Sequence, residues 1–409
     1  MTVRIDADLL IPGSGDPIPD GTVILEGAGI TFAGPTAAAP PTPGAEVATV
    51  PAVMPGMWES HGHFVGITNP DFEKVALESR VTQAARATAD AAATLNGGIT
   101  SVREMGGLGI NLRKAIAEGF VPGPSIYSAG AVLSTTGGHG DIHGFPIHWV
   151  EELAATSFLG YTCDGVADCL KAVRLQLRQG ADVIKICASG GVMSEIDHPI
   201  HQQFSHEELR AIVEEAERAE RIVGAHCHGK PGIMAALRAG VKTIEHGSYL
   251  DEEAAEMMVE HDAILVPTRF IVDQLLGMEG AVPAYAYRKA VMIADQHELA
   301  MKIAVAAGVK IAMGTDIFIS GPMYGQNSAE VRFLIDAGMT PLAAIEAATA
   351  NGPLALGPQA PLSGQLRQGY DADVIAFDSN PLEDLTVWGD ASRVTHIWKA
   401  GVPAKAPVG

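Results

Sequence analysis

Two histidines one residue apart close the run Met54-Pro55-Gly56-Met57-Trp58-Glu59-Ser60-His61-Gly62-His63. On an extended strand alternate side chains point to the same side, so His61 and His63 would face inward together. Neutral imidazole is the commonest transition-metal ligand, and two rings on one rigid strand make half of a metal site. A bare pair of this spacing can also be a surface accident. Other polar residues decide the reading: Lys185 in Ile184-Lys185-Ile186, His226 and His228 on either side of Cys227, His246 after Ile244-Glu245, and Asp316 at the end of Gly314-Thr315-Asp316. Each lies within or at the end of a short apolar run. One such residue is usually a satisfied core group, but a whole set left unpaired would cost roughly several kcal/mol as mere packing.

The elements that must position them alternate. Helical stretches at Thr82 to Asn96, Leu112 to Glu118, Val166 to Arg178 and Ser205 to Glu220 are interleaved with strands at Ile99 to Arg103, Ser125 to Ala129, Asp182 to Ile186 and Ile222 to His226. Further strands fall at Thr243 to His246, Ala263 to Pro267 and Lys310 to Met313. Gly97-Gly98 and Gly180 stop helices, and Ser205 is an N-cap followed by acidic residues that suit the helix dipole. With the opening strand these make eight units, which implies a parallel (β/α)8 TIM barrel. An open doubly wound sheet competes, but no GxGxxG follows the first strand. In a barrel, catalytic groups project from the C-terminal strand ends, where this chain concentrates its metal-ligand residue types.

Both chain ends have a different texture, of short strands separated by turns, with a Pro/Ala-rich loop from Ala37 to Gly44 and no helix before Val53. Ends that meet would build a small β-sandwich domain from both termini. The expected division is 1–53 and 359–409 for the sandwich and 54–358 for the barrel.

The chain has 409 residues, 47% of them hydrophobic, enough for one large core with an appended module. A formal charge of -21 argues against nucleic acid and anionic membrane surfaces as partners. No apolar run reaches the roughly 20 residues of a membrane helix, and none at the N-terminus has signal-peptide length, so the expected location is cytoplasmic. Cys163, Cys169, Cys187 and Cys227 lack zinc-knuckle spacing and are too few for a disulfide scaffold, so they are expected to be reduced.

The full motif set resembles the metal-dependent amidohydrolase superfamily. Ile184-Lys185-Ile186-Cys187-Ala188-Ser189-Gly190-Gly191-Val192, Ile244-Glu245-His246-Gly247 and Ala337-Gly338-Met339-Thr340-Pro341 are similar to the branch holding prolidase-like Xaa-amino-acid dipeptidases, ochratoxinase and imidazolonepropionase-like hydrolases. The resemblance spans nearly the whole chain. It implies that Lys185 is carboxylated by carbon dioxide and bridges two divalent metals, with His61, His63 and Asp316 on one and His226 and His246 on the other. The physics agrees, because an ammonium between cations would be repelled and desolvated, leaving a neutral amine able to form a carbamate. A carboxylate partner for Lys185 is the structural alternative. His228 matches a position where relatives carry a substrate-facing tyrosine. The ligand set suits zinc first, with cobalt or manganese as alternatives.

Two metals about 3.5 to 4 Å apart would share a hydroxide that attacks a carbonyl. Asp316 would take the proton and return it to the leaving amine. Gly137-Gly138-His139-Gly140-Asp141-Ile142-His143 is where an oxyanion donor is expected, His139 first and His143 second. Arg269 could bind a substrate carboxylate or merely salt-bridge an acidic surface, and Tyr324 could line the pocket. Trp149, Phe145, Phe270 and Met323 are candidates for apolar walls, while His198, His201, His206, His261, His297 and His396 read as solvated or capping. The implied activity is hydrolysis of a small-molecule amide whose leaving part is an amino acid. Carbamates, thiocarbamates, phenylureas or cyclic imidazolone-type amides are the alternative substrates. A non-enzymatic scaffold on this fold is the rival class, disfavoured by the complete ligand set. The resemblance also implies a homo-oligomer.

Overall fold

Strand Thr2–Leu10 buries Val3, Ile5 and Ala7 at alternate positions, pairs antiparallel with Ile18–Glu26 and runs parallel to Glu46–Pro55. In this computed structural model, which describes residues 2–154 and 160–406, the chain's end completes that sheet. Its order is Val402–Lys405, Val394–Lys399, Val374–Phe377, Glu46–Pro55, Thr2–Leu10, Ile18–Glu26, Gly29–Pro35. Both termini therefore meet as expected. Where two facing layers are expected, however, hydrogen bonds join all seven strands into one ladder. The strand Glu46–Pro55, whose Pro51 and Pro55 hide it in the sequence, is the bridge between the two ends. The Pro/Ala-rich stretch carries one 3-10 turn, Thr36–Ala38, where no helix is expected.

Glu46–Pro55 runs almost directly into the first barrel strand, Met57–Gly62. Gly56 between them must be glycine, because a Cβ there would lie 2.2 Å from Thr100 Oγ1. Parallel strands follow at Ile99–Glu104, Ser125–Ser128, Ile184–Cys187, Val223–Cys227, Thr243–His246, Ile264–Val266 and Lys310–Ile311. The third unit is split. Ser125–Ser128 pairs with the second strand, and Val132–Ser134 turns away to pair with the fourth and with a short strand Gly160–Thr162. The barrel closes where Ser60 N donates to Met313 O at 2.8 Å and Asp316 N donates to His61 O at 2.9 Å. The structure is thus the expected barrel.

Local signals explain the helices. Ser205 and Glu208 form a reciprocal capping box at the start of His206–Glu217. Gly180, at φ 98°, ends Val166–Gln179 in the left-handed conformation that glycine accepts freely. All four cysteines are buried and free. No helix among the described residues is long and apolar enough to cross a membrane.

Two apolar cores bear on the site. One lies between barrel and helices; the other sits over the C-terminal strand ends, where Val65, Ile67, Val192, Ile271, Ile293 and Phe318 come together from the loops after strands one, four and eight and from the helices Arg269–Leu276 and Ala284–Ala306. This second core is the roof of the cavity described next.

Candidate metal centre and active site

The first strand delivers His61 and His63 as a pair with converging nitrogens. His61 Nδ1 lies 2.7 Å from Glu245 Oε2 and His63 Nδ1 lies 2.6 Å from Gly106 O. Neither partner can donate a proton, so each ring carries its hydrogen on Nδ1 and presents a bare Nε2. Those two Nε2 atoms lie 3.7 Å and 3.0 Å from Asp316 Oδ1. His246 is fixed through Nδ1 by Thr268 Oγ1 at 2.7 Å, and its ring centroid is 5.0 Å from that of His61 and 4.6 Å from that of His226. His226 has its Nε2 committed to Gly190 O at 3.1 Å, which leaves Nδ1 as the free nitrogen. Ligand atoms of His61, His246 and Asp316 all lie within 4.8 Å of one another, close enough to hold one ion.

The strand ends are strained to achieve this. His246, Thr268 and Asp316 take φ of 70°, 56° and 59°, a region that costs a non-glycine residue roughly 1–3 kcal/mol. Cross-barrel bonds hold them there, including Gly247 N to Cys227 O at 2.9 Å beside His246 and Asp316 N to His61 O.

Burial sets the electrostatics. His61 is pushed down to about 4 by desolvation and by the Lys185 ammonium, and burial lowers His226 and His246 well below the ordinary imidazole value. Lys185, 3% exposed, is lowered by the same desolvation. Burial alone would raise Asp316, but His61, His63 and Lys185 outweigh it and keep the carboxyl below its ordinary range. The result is a set of neutral imidazoles, one ionised carboxylate and a lysine easily made neutral, which fits a divalent ion of intermediate softness. Lys185 Nζ lies 3.3 Å from His61 Nε2. Among the described residues Lys185 makes no ion pair, so the carboxylate-paired alternative does not hold.

Residues that the motifs left without a role support this set. Arg103, fully buried on the second strand, sends Nη2 to both oxygens of Glu245 at 2.8 Å, Nη1 to Thr243 Oγ1 at 2.9 Å and Nε to Ser60 O at 2.6 Å. Glu59 accepts from His61 N at 2.9 Å, Thr315 Oγ1 at 2.6 Å and Asn327 Nδ2 at 2.8 Å, tying strand one to strand eight. A charge inside an apolar strand was the available signal for both.

Above these groups lies a cavity of about 170 Å³ whose floor includes His61, His63, Lys185, His226, His246 and Asp316 and whose walls are mainly aliphatic and aromatic. His139 and His228 both line it. His139 stacks on His226 with centroids 4.2 Å apart and has Nδ1 2.8 Å from Ser194 Oγ; His228 has Nδ1 2.7 Å from Ser248 Oγ.

Other expected contacts fall elsewhere. His143 uses Nε2 on Gly138 O at 3.0 Å and accepts from Ile196 N on Nδ1 at 3.1 Å, so it has no proton left for a substrate. Arg269 does not line the cavity: its Nη1 donates to Ala294 O at 2.6 Å and its Nη2 lies 3.9 Å from Glu298. This is the salt-bridging alternative. Tyr324 is buried with its hydroxyl donating to His63 O, so it braces the histidine turn and does not line this cavity. Phe270 and Met323 pack in the barrel core, and Phe145 stacks edge-on to the half-exposed Trp149, all off the cavity. His297, expected to be solvated or capping, is fully buried, with Nε2 2.8 Å from Pro267 O and 3.1 Å from His246 O.

A family model described as the amidohydrolase family matches residues 52–404. The chain belongs to the amidohydrolase family. Members of this family generally bind divalent metals, and this amidohydrolase acts on carbon–nitrogen bonds. It is 44% identical over 421 residues to ochratoxinase of Aspergillus niger, covering 98% of this chain and 86% of that protein. The crystal structure of A. niger ochratoxinase superposes with a TM-score of 0.92, covering 100% of this chain and 96% of that one. A prolidase complexed with N-methylphosphonate-L-proline is 32% identical with a TM-score of 0.90, over 100% of both chains. Molinate hydrolase and phenylurea hydrolase B, each 21% identical, share the fold, with TM-scores of 0.83 and 0.81.

Proposed function

We propose that this amidohydrolase cleaves amides whose leaving part is an amino acid, taking N-acyl amino acids, dipeptides and ochratoxin-like amides. The observation that carries the proposal is the cavity itself: candidate ligands on the floor, apolar walls above, in a chain 44% identical to an ochratoxinase. The histidines and Asp316 would hold two divalent ions, zinc, cobalt or manganese. Lys185 would bridge them once its neutral Nζ has bonded to the carbon of carbon dioxide and released one proton, leaving an anionic carbamate. When bound, the ions supply Lewis acidity that makes water nucleophilic at neutral pH.

The chain's own groups supply the rest. Asp316 accepts the proton of the attacking water and returns it to the leaving nitrogen. His139, neutral and facing the cavity, donates to the carbonyl oxygen as negative charge develops there. With Arg269 turned away and His139 engaged on the carbonyl oxygen, the cavity-lining His228 ring takes the carboxylate of the leaving group. The second reading, hydrolysis of uncharged carbamates or phenylureas, is favoured by that same lack of a guanidinium on an apolar wall.

Metal-reconstituted protein assayed on N-carbobenzoxy amino acids, Xaa-Pro and Xaa-hydrophobic dipeptides, carbamates, phenylureas and imidazolone-type amides separates the two. Turnover of amino-acid amides supports the proposal. Turnover confined to uncharged carbamates and ureas overturns it and leaves the hydrolytic chemistry intact.

A further inference from the structure

Lys289, on the helix Ala284–Ala306, directs its ammonium at the segment that follows the fourth barrel strand. Nζ donates to Gly191 O at 3.1 Å, Ser194 O at 2.6 Å and Asp197 O at 2.5 Å, and lies 3.3 Å from Asp197 Oδ1. An ammonium has three protons, and three backbone carbonyls take them. Asp197 turns the clamp back on its own segment. Its Oδ2 accepts from Gly191 N at 2.8 Å and from Gln203 Nε2 at 3.2 Å, and Gln203 Oε1 accepts from His139 N at 3.1 Å. The side chains of Lys289 and Asp197 are 13% and 5% exposed, so this pair is desolvated and loss of either leaves the other uncompensated.

Residues 190–200 form neither helix nor strand, so their position depends on such side-chain ligands. The segment brings Val192 and Met193 to one wall of the cavity; the helix brings Ala290, next to Lys289, and Ile293 to another. The segment also holds two rings of the site, His226 through Gly190 O and His139 through Ser194 Oγ.

We propose that Lys289 is a positioning residue that sets the width of the apolar cavity by fixing residues 190–197 against the helix Ala284–Ala306. Hydrophobic walls discriminate between side chains by size only while they are held at a fixed spacing. With the clamp gone, the segment moves and preference for one size of substrate side chain is lost. The kinetic consequence rests on the amide-hydrolase reading, whereas the ordering of the segment does not.

The test uses the full-length, metal-loaded protein as Lys289→Met and Lys289→Gln. Amide hydrogen exchange is followed, with kcat and KM for N-carbobenzoxy-phenylalanine and N-carbobenzoxy-alanine. Exchange within residues 190–197 should quicken by roughly tenfold or more while the strand Val223–Cys227 and the metal content stay as in the wild type. The wild-type ratio of kcat/KM between the two substrates should shrink by roughly tenfold, mostly through KM. Wild-type exchange in the segment, or an unchanged ratio, overturns the proposal. If the wild type cleaves neither substrate, the amide reading fails there, and faster exchange still supports the clamp. If Lys289→Met does not fold, Lys289→Gln is read by the same criteria. Unfolding of both, with exchange raised across the whole barrel, overturns the local role.

Discussion

His61 Nδ1 and Glu245 Oε2 lie 2.7 Å apart at the bottom of the site, and the same carboxylate is gripped from below by Arg103. Arg103 and His61 hold the Glu245 carboxyl far below its ordinary value although it is fully buried. It is therefore ionised, and it fixes the His61 tautomer that offers Nε2 upward. Partners of this kind are worth roughly 10–100-fold in metal affinity. Glu245→Gln should weaken metal binding by that factor in chelator competition and also lower stability, because Arg103 keeps a buried charge. Unchanged affinity would remove the orienting role.

His226 and His228 alternate on one strand, but their second nitrogens are held differently, by Gly190 O and by Ser248 Oγ. His226→Ala should lose metal. His228→Ala should keep metal and mainly raise KM. The reverse pattern, read by elemental analysis and steady-state kinetics, would mean that the two roles are exchanged.

Asp316→Asn keeps an oxygen ligand and removes the base. Metal content should largely persist while kcat falls by roughly 10² to 10⁴. A near-normal rate would place the proton transfer on another group.

Glu330 accepts from Arg269 N at 2.8 Å and Phe270 N at 2.6 Å, and burial pushes its carboxyl up to about 8. The folded state then binds this proton more tightly than the unfolded one, whose value is near 4.5. The stabilisation is complete below about 4.5 and is lost as pH rises through about 8. Against the wild type, Glu330→Gln should gain relative stability between pH about 5 and 9 in paired thermal melts. A Tm difference that does not change with pH would show that Glu330 is ionised throughout.

The barrel was legible because apolar strands alternate with glycine-stopped helices, and the floor of the site because its residue types recur at strand ends. The walls were not. Arg269 follows the seventh strand in sequence, yet the helix it opens rotates its guanidinium toward Ala294 and Glu298. Ile271 and Val272, two and three residues further on, face the cavity and look in sequence like any helix core. Tyr324, expected to line the pocket, turns its hydroxyl to His63 O instead, because the sequence does not record which way a loop folds over. Glu46–Pro55 was hidden by its prolines, which normally argue against a strand in mid-sheet.

The central claim is that the strand-end residues together hold two ions bridged by a carboxylated Lys185. Elemental analysis of protein prepared with zinc or cobalt and bicarbonate, beside Lys185→Ala, tests it most directly. The account predicts about two ions per chain in the wild type, in line with paired-metal hydrolases. It predicts a marked loss of metal and activity in Lys185→Ala, with partial recovery of both in short carboxylic acids. Metal content near zero in the wild type, or a full complement with full activity in Lys185→Ala, would contradict it.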